Sequence, residues 1–92
     1  KGVLSVFDYV SIRPGSEDLK ITVTATVKII YSGGFTKTQD YTFDVFFEAE
    51  RSRGTGYVYL DLQGRYDVSI EKYTMESDTP VSLNGMVEYK LQ

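Results

Sequence analysis

The residue types that most often carry out catalysis are missing from this chain. Its 92 residues include no Cys, no His and no Trp, which excludes thiol and imidazole nucleophiles, histidine bases, thiolate zinc sites and disulfides. Carboxylates occur in close pairs: Glu17 with Asp18, Asp40 with Asp44, Glu48 with Glu50, and Glu76 with Asp78. Each pair lies in a turn-forming segment or along an exposed strand face, and so short a chain seldom encloses the cleft that a two-carboxylate hydrolase needs. We therefore expect no enzymatic activity and no cofactor.

Tyrosines and carboxylates on one predicted hairpin form the main candidate binding surface. Residues 57–73 alternate apolar and polar types around a loop at residues 63–65. Pairing Leu60 with Val68 across that three-residue loop makes one face wholly apolar, and register follows the buried face. The opposite face then carries the candidate binding residues Tyr57, Tyr59, Tyr73, Asp61 and Asp67.

This surface suits recognition of a ligand. Tyrosine combines a flat apolar ring with a polar tip, so the face can bind sugar rings or a protein partner. In this register Asp61 lies opposite Asp67, and such a pair of like charges is unfavourable unless water or a cation intervenes. A weak Ca²⁺ site there is one hypothesis, although Ca²⁺ takes roughly six to eight oxygen ligands. An ordinary solvated sheet face is the alternative to a binding role.

Exposed aromatic residues elsewhere mark two further contact candidates. Phe46 lies on the polar side of an otherwise alternating strand, and Tyr31 and Phe35 flank the Gly33-Gly34 pair of a predicted turn. Isolated exposed aromatic residues are common, so an incidental position is the alternative interpretation for each of them.

Residues 53–60 approximate an RNA-binding octamer, in which a basic residue and glycine precede strand aromatics that stack on bases. Arg53, Gly54 and Gly56 fit that pattern, whereas Thr55 and Leu60 stand where aromatic residues belong. The net charge of −3 also disfavours a nucleic-acid partner, because such affinity comes mainly from neutralised phosphates. A glycine-rich arm leading into a strand is the preferred interpretation.

Hydropathy and composition indicate where the protein is located. No apolar run approaches the roughly 20 residues of a membrane helix, so we expect no membrane insertion. The small Thr- and Tyr-rich chain favours a secreted or cell-surface location, and the absence of Cys carries no information about the redox compartment.

The strands that position these residues follow from period-two alternation. Residues 19–31 alternate apolar and polar types, residues 32–34 form a turn, and the return strand is expected to bury Tyr41, Phe43, Val45, Phe47 and Ala49. A bulge is expected near Val6-Phe7, a turn at residues 13–18, a short strand at 81–83, a turn at Asn84-Gly85 and a closing strand at 86–91.

Residues 60–70 resemble the leucine, turn glycine and Tyr-x-Val-x-Ile run of fibronectin type III and other immunoglobulin-like domains, and are equally similar to the corresponding run of prealbumin-like domains. In the first group the Tyr forms a tyrosine corner, in which its hydroxyl bonds to the backbone a few residues upstream. The resemblance implies that structural role for Tyr66. It covers a small part of the chain and implies no activity.

Together these patterns predict one antiparallel β-sandwich of six or seven strands, immunoglobulin-like or prealbumin-like, over residues 1–92. Its expected function is that of a non-catalytic structural or recognition module that contacts another protein or a larger assembly. A carbohydrate-binding module that uses the Tyr-rich face is the alternative, followed by an OB-like barrel that binds single-stranded nucleic acid through Arg51, Arg53 and the same tyrosines.

Overall fold

A computed structural model describes residues 2–6, 18–48, 54–77 and 85–91, and within these ranges the chain forms strands and loops only. The strands are β1 (Gly2–Val6), β2 (Leu19–Tyr31), β3 (Thr36–Phe47), β4 (Gly56–Leu60), β5 (Tyr66–Ser77) and β6 (Val87–Leu91). They form two three-stranded antiparallel sheets, a short sheet in the order β4-β1-β6 and a long sheet in the order β3-β2-β5. The predicted all-β antiparallel sandwich is confirmed.

The long sheet is built on the alternation in β2 and β3. Every second side chain of β2 from Ile21 to Ile29 is at most 1% exposed, and Phe43, Val45 and Phe47 of β3 are buried beside them. On the outer face Thr22 and Thr26 donate hydrogen bonds to Asp44 and Asp40 at 3.2 and 2.6 Å. The buried and exposed faces of this hairpin are therefore those that the sequence predicts.

The turn between β2 and β3 is a three-residue loop at residues 32–34. The Gly34 amide donates to the Tyr31 carbonyl at 2.9 Å, and the Tyr31 amide donates to the Phe35 carbonyl at 2.8 Å. Gly34 has φ of 90°, a left-handed conformation that favours glycine at this point of a hairpin loop.

The connection between β4 and β5 crosses from one sheet to the other. β4 pairs with β1 and β5 pairs with β2, so the predicted hairpin around residues 63–65 is wrong. The two strands contribute their apolar faces to the core from opposite sheets, with Leu60 fully buried and Val68 half-buried against the same core. Alternation fixes which face of a strand is buried, and it does so equally for strands that pair and strands that face each other.

A β-bulge changes the phase of β5. Thr26 pairs with Lys72 and Val27 with Ile70, so Glu71 is the extra residue. Beyond the bulge Tyr73, Met75 and Ser77 lie opposite Ala25, Val23 and Ile21, on the side of the long sheet that faces the core.

Tyr66 makes the hydrogen bond that its resemblance to a tyrosine corner implies. Its hydroxyl donates to the Leu60 carbonyl at 3.5 Å, a long and weak hydrogen bond that ties the start of β5 to the end of β4. The ring packs edge-on against Tyr31, with ring centroids 6.3 Å apart.

The closing strand is confirmed as β6, beginning one residue later than predicted. Outside the described residues lie Phe7 of the expected bulge, residues 13–17 of the expected turn, Ala49 of the return strand, the strand at 81–83 and Asn84.

Tyr89 of β6 points inward, over Gly2, where a larger residue would overlap its ring. Its hydroxyl is buried near the Tyr66 phenol, whose own proton goes to Leu60, and it makes no well-formed hydrogen bond to a described residue. Burial, with a smaller effect of the Tyr66 phenol, raises the pKa of Tyr89 to about 12. Burial also raises the pKa of Tyr41.

We expect Tyr89→Phe to increase the free energy of unfolding by about 1 kcal/mol at neutral pH, because a buried hydroxyl without a partner costs stability.

The folded protein keeps the Tyr89 proton to a higher pH than the unfolded chain, whose pKa is near 10.0. Wild-type stability should therefore fall as pH rises from 10 toward 12, by about 2 kcal/mol from this residue, and Tyr89→Phe should lose less. Urea unfolding at pH 7 and above pH 10 measures both effects. Tyr57→Phe, at an exposed position, is the control, and equal alkaline losses in wild type and Tyr89→Phe would contradict the expectation.

Candidate functional site

The two sheets meet at a seam between β3 and β4. Phe46 and Thr55 form an isolated antiparallel bridge there. A Cβ atom added to Gly54 or Gly56 would overlap the main-chain carbonyl oxygen of Phe46 or Asp44, respectively. The two glycines therefore allow β4 to approach β3 closely, so that the outer faces of the two sheets are continuous at this point.

Three exposed aromatic side chains lie along the outer face at this seam, and we call Phe46, Tyr57 and Tyr59 the aromatic strip. They are 61%, 58% and 50% exposed. Phe46 shares a face with Thr55, its bridge partner, and Tyr57 is the next residue of β4 on that face. Such diagonal cross-strand neighbours lie about 7–8 Å apart, within reach of aromatic side chains. The rings of Tyr57 and Tyr59 meet edge to face, with centroids 5.3 Å apart and an interplanar angle of 77°.

Strand β1 forms the floor beneath the tyrosines. Val3 pairs with Tyr59 and Ser5 pairs with Tyr57, and both floor residues are buried although they lie on the outer face of the short sheet. Ser5 is 2% exposed, and its Oγ has no hydrogen-bond partner among the described residues. Beside the two tyrosines, the outer face of the short sheet therefore buries one apolar side chain and one hydroxyl.

Strand β6 forms the far edge of this face. Glu88 lies across β1 from Tyr57 and Lys90 lies across from Tyr59. The Lys90 ammonium and the Glu88 carboxylate are 3.8 Å apart, at side chains that are 52% and 41% exposed. The aromatic strip thus has an apolar centre with one charge of each sign beside it.

Of the sequence candidates, Tyr57, Tyr59 and Phe46 are brought together, whereas Tyr73 is not. Tyr73 belongs to the long sheet, and the bulge at Glu71 places it on the side that faces the core. Its hydroxyl donates to the Gly85 carbonyl at 3.4 Å and so links β5 to the residue pair before β6. The prediction that it shares an outward face with Tyr57 and Tyr59 is wrong, because it assumed unbroken alternation in β5.

Asp61 and Asp67 are not cross-strand neighbours either. Asp61 follows β4 in the loop to the other sheet, and Asp67 pairs with Ile30 in the long sheet. The pairing on which the Ca²⁺ hypothesis rested is therefore absent. Within the described ranges no group of three or more His, Cys, Asp or Glu side chains is placed to hold a metal ion. Arg51 and Arg53 of the RNA-binding hypothesis lie outside these ranges.

Sequence reasoning missed the residues beneath and beside the aromatic strip: Val3, Ser5, Glu88 and Lys90. They reach the site because β1 lies between β4 and β6, and these strands come from the two ends and the middle of the chain. No local pattern in β1 indicates this pairing.

Comparison with protein-family models, curated proteins and solved structures finds no match to this chain. The fold and the site together define a small β-sandwich with an aromatic outer face at the seam between its sheets.

Proposed function

We propose that this chain is a non-catalytic recognition module that binds a protein partner through the aromatic strip. The observation that supports the proposal most strongly is the clustering of Phe46, Tyr57 and Tyr59, each at least half exposed, over the buried floor of β1. Tyrosine and phenylalanine are enriched in protein interfaces because each buries a large area at low entropic cost, and tyrosine also keeps a polar group for hydrogen bonding.

The ring geometry favours a protein partner over a carbohydrate. A sugar ring stacks on a flat aromatic face, and no plane spans Tyr57 and Tyr59 because their rings meet at 77°. Two rings at that angle instead form a ridge with Phe46 beside it, which suits an apolar side chain of a partner packed into the angle. The adjacent Glu88 and Lys90 supply a polar rim of both signs.

Selection from a random peptide library on the immobilised chain tests this function. We expect enriched peptides to carry apolar side chains, and Tyr57→Ser or Tyr59→Ser to weaken their binding at least about tenfold, as for central interface residues. Phe35→Ser is the matched control, since Phe35 is 68% exposed in the turn between β2 and β3, away from the aromatic strip, and it should leave the affinity unchanged.

Three results would contradict the proposal: no peptide enriched above background, peptides that bind the Tyr57→Ser and Tyr59→Ser variants as tightly as the wild type, or a glycan-array hit that the same two variants lose. The third result would favour the carbohydrate-binding alternative.

A further inference from the structure

The hairpin tip (residues 30–36) lies at one end of an elongated molecule. The described residues extend 50 × 22 × 15 Å, and the 13 residues of β2 alone span about 43 Å, so the long axis follows the strands of the long sheet. The aromatic strip is far from this end, because Phe46 pairs with Lys20, ten residues along β2 from Ile30 and hence about 33 Å away.

At the tip, both faces of the β2–β3 hairpin carry apolar side chains. Phe35 is 68% exposed and Ile30 is 38% exposed. The ring of Phe35 packs against the half-buried Tyr31, with ring centroids 5.7 Å apart. Along the chain, Ser32 and two glycines separate the two residues. The tip therefore ends in apolar side chains with no charged group between Lys28 and Lys37.

Three cations surround this apolar end, and we call Lys28, Lys37 and Arg65 the basic collar. Lys28 lies on the outer face of the long sheet, two residues before Ile30, and Lys37 lies on the other face, two residues after Phe35. Arg65 is held beside the tip because its carbonyl accepts a hydrogen bond from the Ser32 amide at 3.1 Å. None of the three forms an ion pair with another described residue.

The charge of the tip is opposite to that of the molecule as a whole. The chain carries a net charge of −3, yet the charged residues on the hairpin from Lys28 to Lys37 and directly across from it are the basic collar and one carboxylate, Asp67, opposite Ile30. Most other described charges are acidic. A negatively charged surface would therefore attract this end and repel the rest, which holds the long axis upright on it.

We propose that the hairpin tip docks the molecule on an anionic lipid bilayer, with Phe35 and Ile30 in the interfacial region and the basic collar at the lipid phosphates. Aromatic and aliphatic side chains gain by leaving water at that depth, and lysine and arginine extend their charged ends to the headgroups. A soluble polyanion fits less well, since Phe35 and Ile30 lie beyond Lys37 and Lys28 along the hairpin and would gain little from it.

Flotation of the chain with vesicles tests the proposal. We expect binding to phosphatidylcholine vesicles that contain phosphatidylserine, weaker binding to phosphatidylcholine alone, and a decrease with added salt because exposed charges are screened. Phe35→Ser should weaken binding about thirtyfold, and Lys37→Gln or Arg65→Gln about fivefold each. Phe46→Ser is the matched control: it removes a Phe that is 61% exposed from the distant aromatic strip and should leave vesicle binding unchanged.

The proposal is overturned if the wild type does not float with anionic vesicles at low salt, or if Phe35→Ser and Phe46→Ser weaken binding equally. It is also overturned if a single-stranded oligonucleotide binds the wild type and Phe35→Ser alike and more tightly than the vesicles do. Since Phe46→Ser removes part of the aromatic strip and Phe35→Ser removes part of the tip, failure of this proposal is distinguishable from failure of the proposed protein-binding function.

Discussion

Replacing Gly56 with alanine should lower the free energy of unfolding by about 3 kcal/mol, the upper end of what overpacking costs. The added methyl group would overlap the main-chain carbonyl of Asp44 and crowd the Val45 side chain. A backbone oxygen in the middle of β3 cannot rotate away as a flexible side chain can, so β4 must move. That movement opens the seam between the sheets, which is bridged by Phe46 and Thr55.

Urea unfolding measured at equilibrium gives this difference directly. Gly33→Ala is the matched control, because a Cβ atom at Gly33 meets nothing within 4 Å and its backbone is not in the left-handed region. Its stability should stay within about 0.5 kcal/mol of the wild type. If Gly56→Ala costs no more than Gly33→Ala, the close approach of β4 to β3 does not hold the sheets together.

The same glycine connects stability with the proposed function. The aromatic strip exists because the seam brings Phe46 of the long sheet beside Tyr57 of the short sheet. From the sequence, Gly54 and Gly56 are predicted to belong to a flexible glycine-rich arm. In the structure, their lack of a side chain allows β4 to approach β3 closely. Strand glycines can serve either purpose, and the neighbours that decide between them, Phe46 for Gly54 and Asp44 for Gly56, lie on a different strand.

The sequence predicts best where a strand pairs with its neighbour along the chain. β2 and β3 alternate strictly and are joined by a three-residue loop, so their buried faces and their pairing could both be read from residues 19–47. β4 and β5 also alternate, yet they belong to different sheets, and alternation cannot separate pairing within a sheet from packing across a sandwich.

A signal for the position of Tyr73 was present in the sequence. Apolar residues of β5 recur every second position up to Ile70, and the next ones are Tyr73 and Met75, three and five positions on. That change of phase indicates a bulge, and with it Tyr73 belongs to the side that faces the core. No comparable signal places Val3 and Ser5 under the tyrosines, because β1 pairs with strands more than fifty residues away.

Leu60→Ala is expected to lower the free energy of unfolding by about 3 kcal/mol, because it empties a fully buried position where β4 packs on the long sheet. Leu60 has a second role, since its carbonyl accepts the Tyr66 hydroxyl at 3.5 Å. Tyr66→Phe removes only that long hydrogen bond, so it should cost less than about 1 kcal/mol.

Comparing the two variants by urea unfolding separates packing from hydrogen bonding at the crossing between the sheets. Leu91→Ala, at a leucine that is 76% exposed, is the control and should change stability by less than about 0.5 kcal/mol. A cost for Tyr66→Phe equal to that for Leu60→Ala would mean that the hydroxyl, rather than the buried leucine, holds β4 to β5. If Leu60→Ala costs more stability than Tyr66→Phe, as expected, the packing of Leu60 stabilises the crossing between the sheets. The hydrogen bond of Tyr66 then only directs the chain into the second sheet.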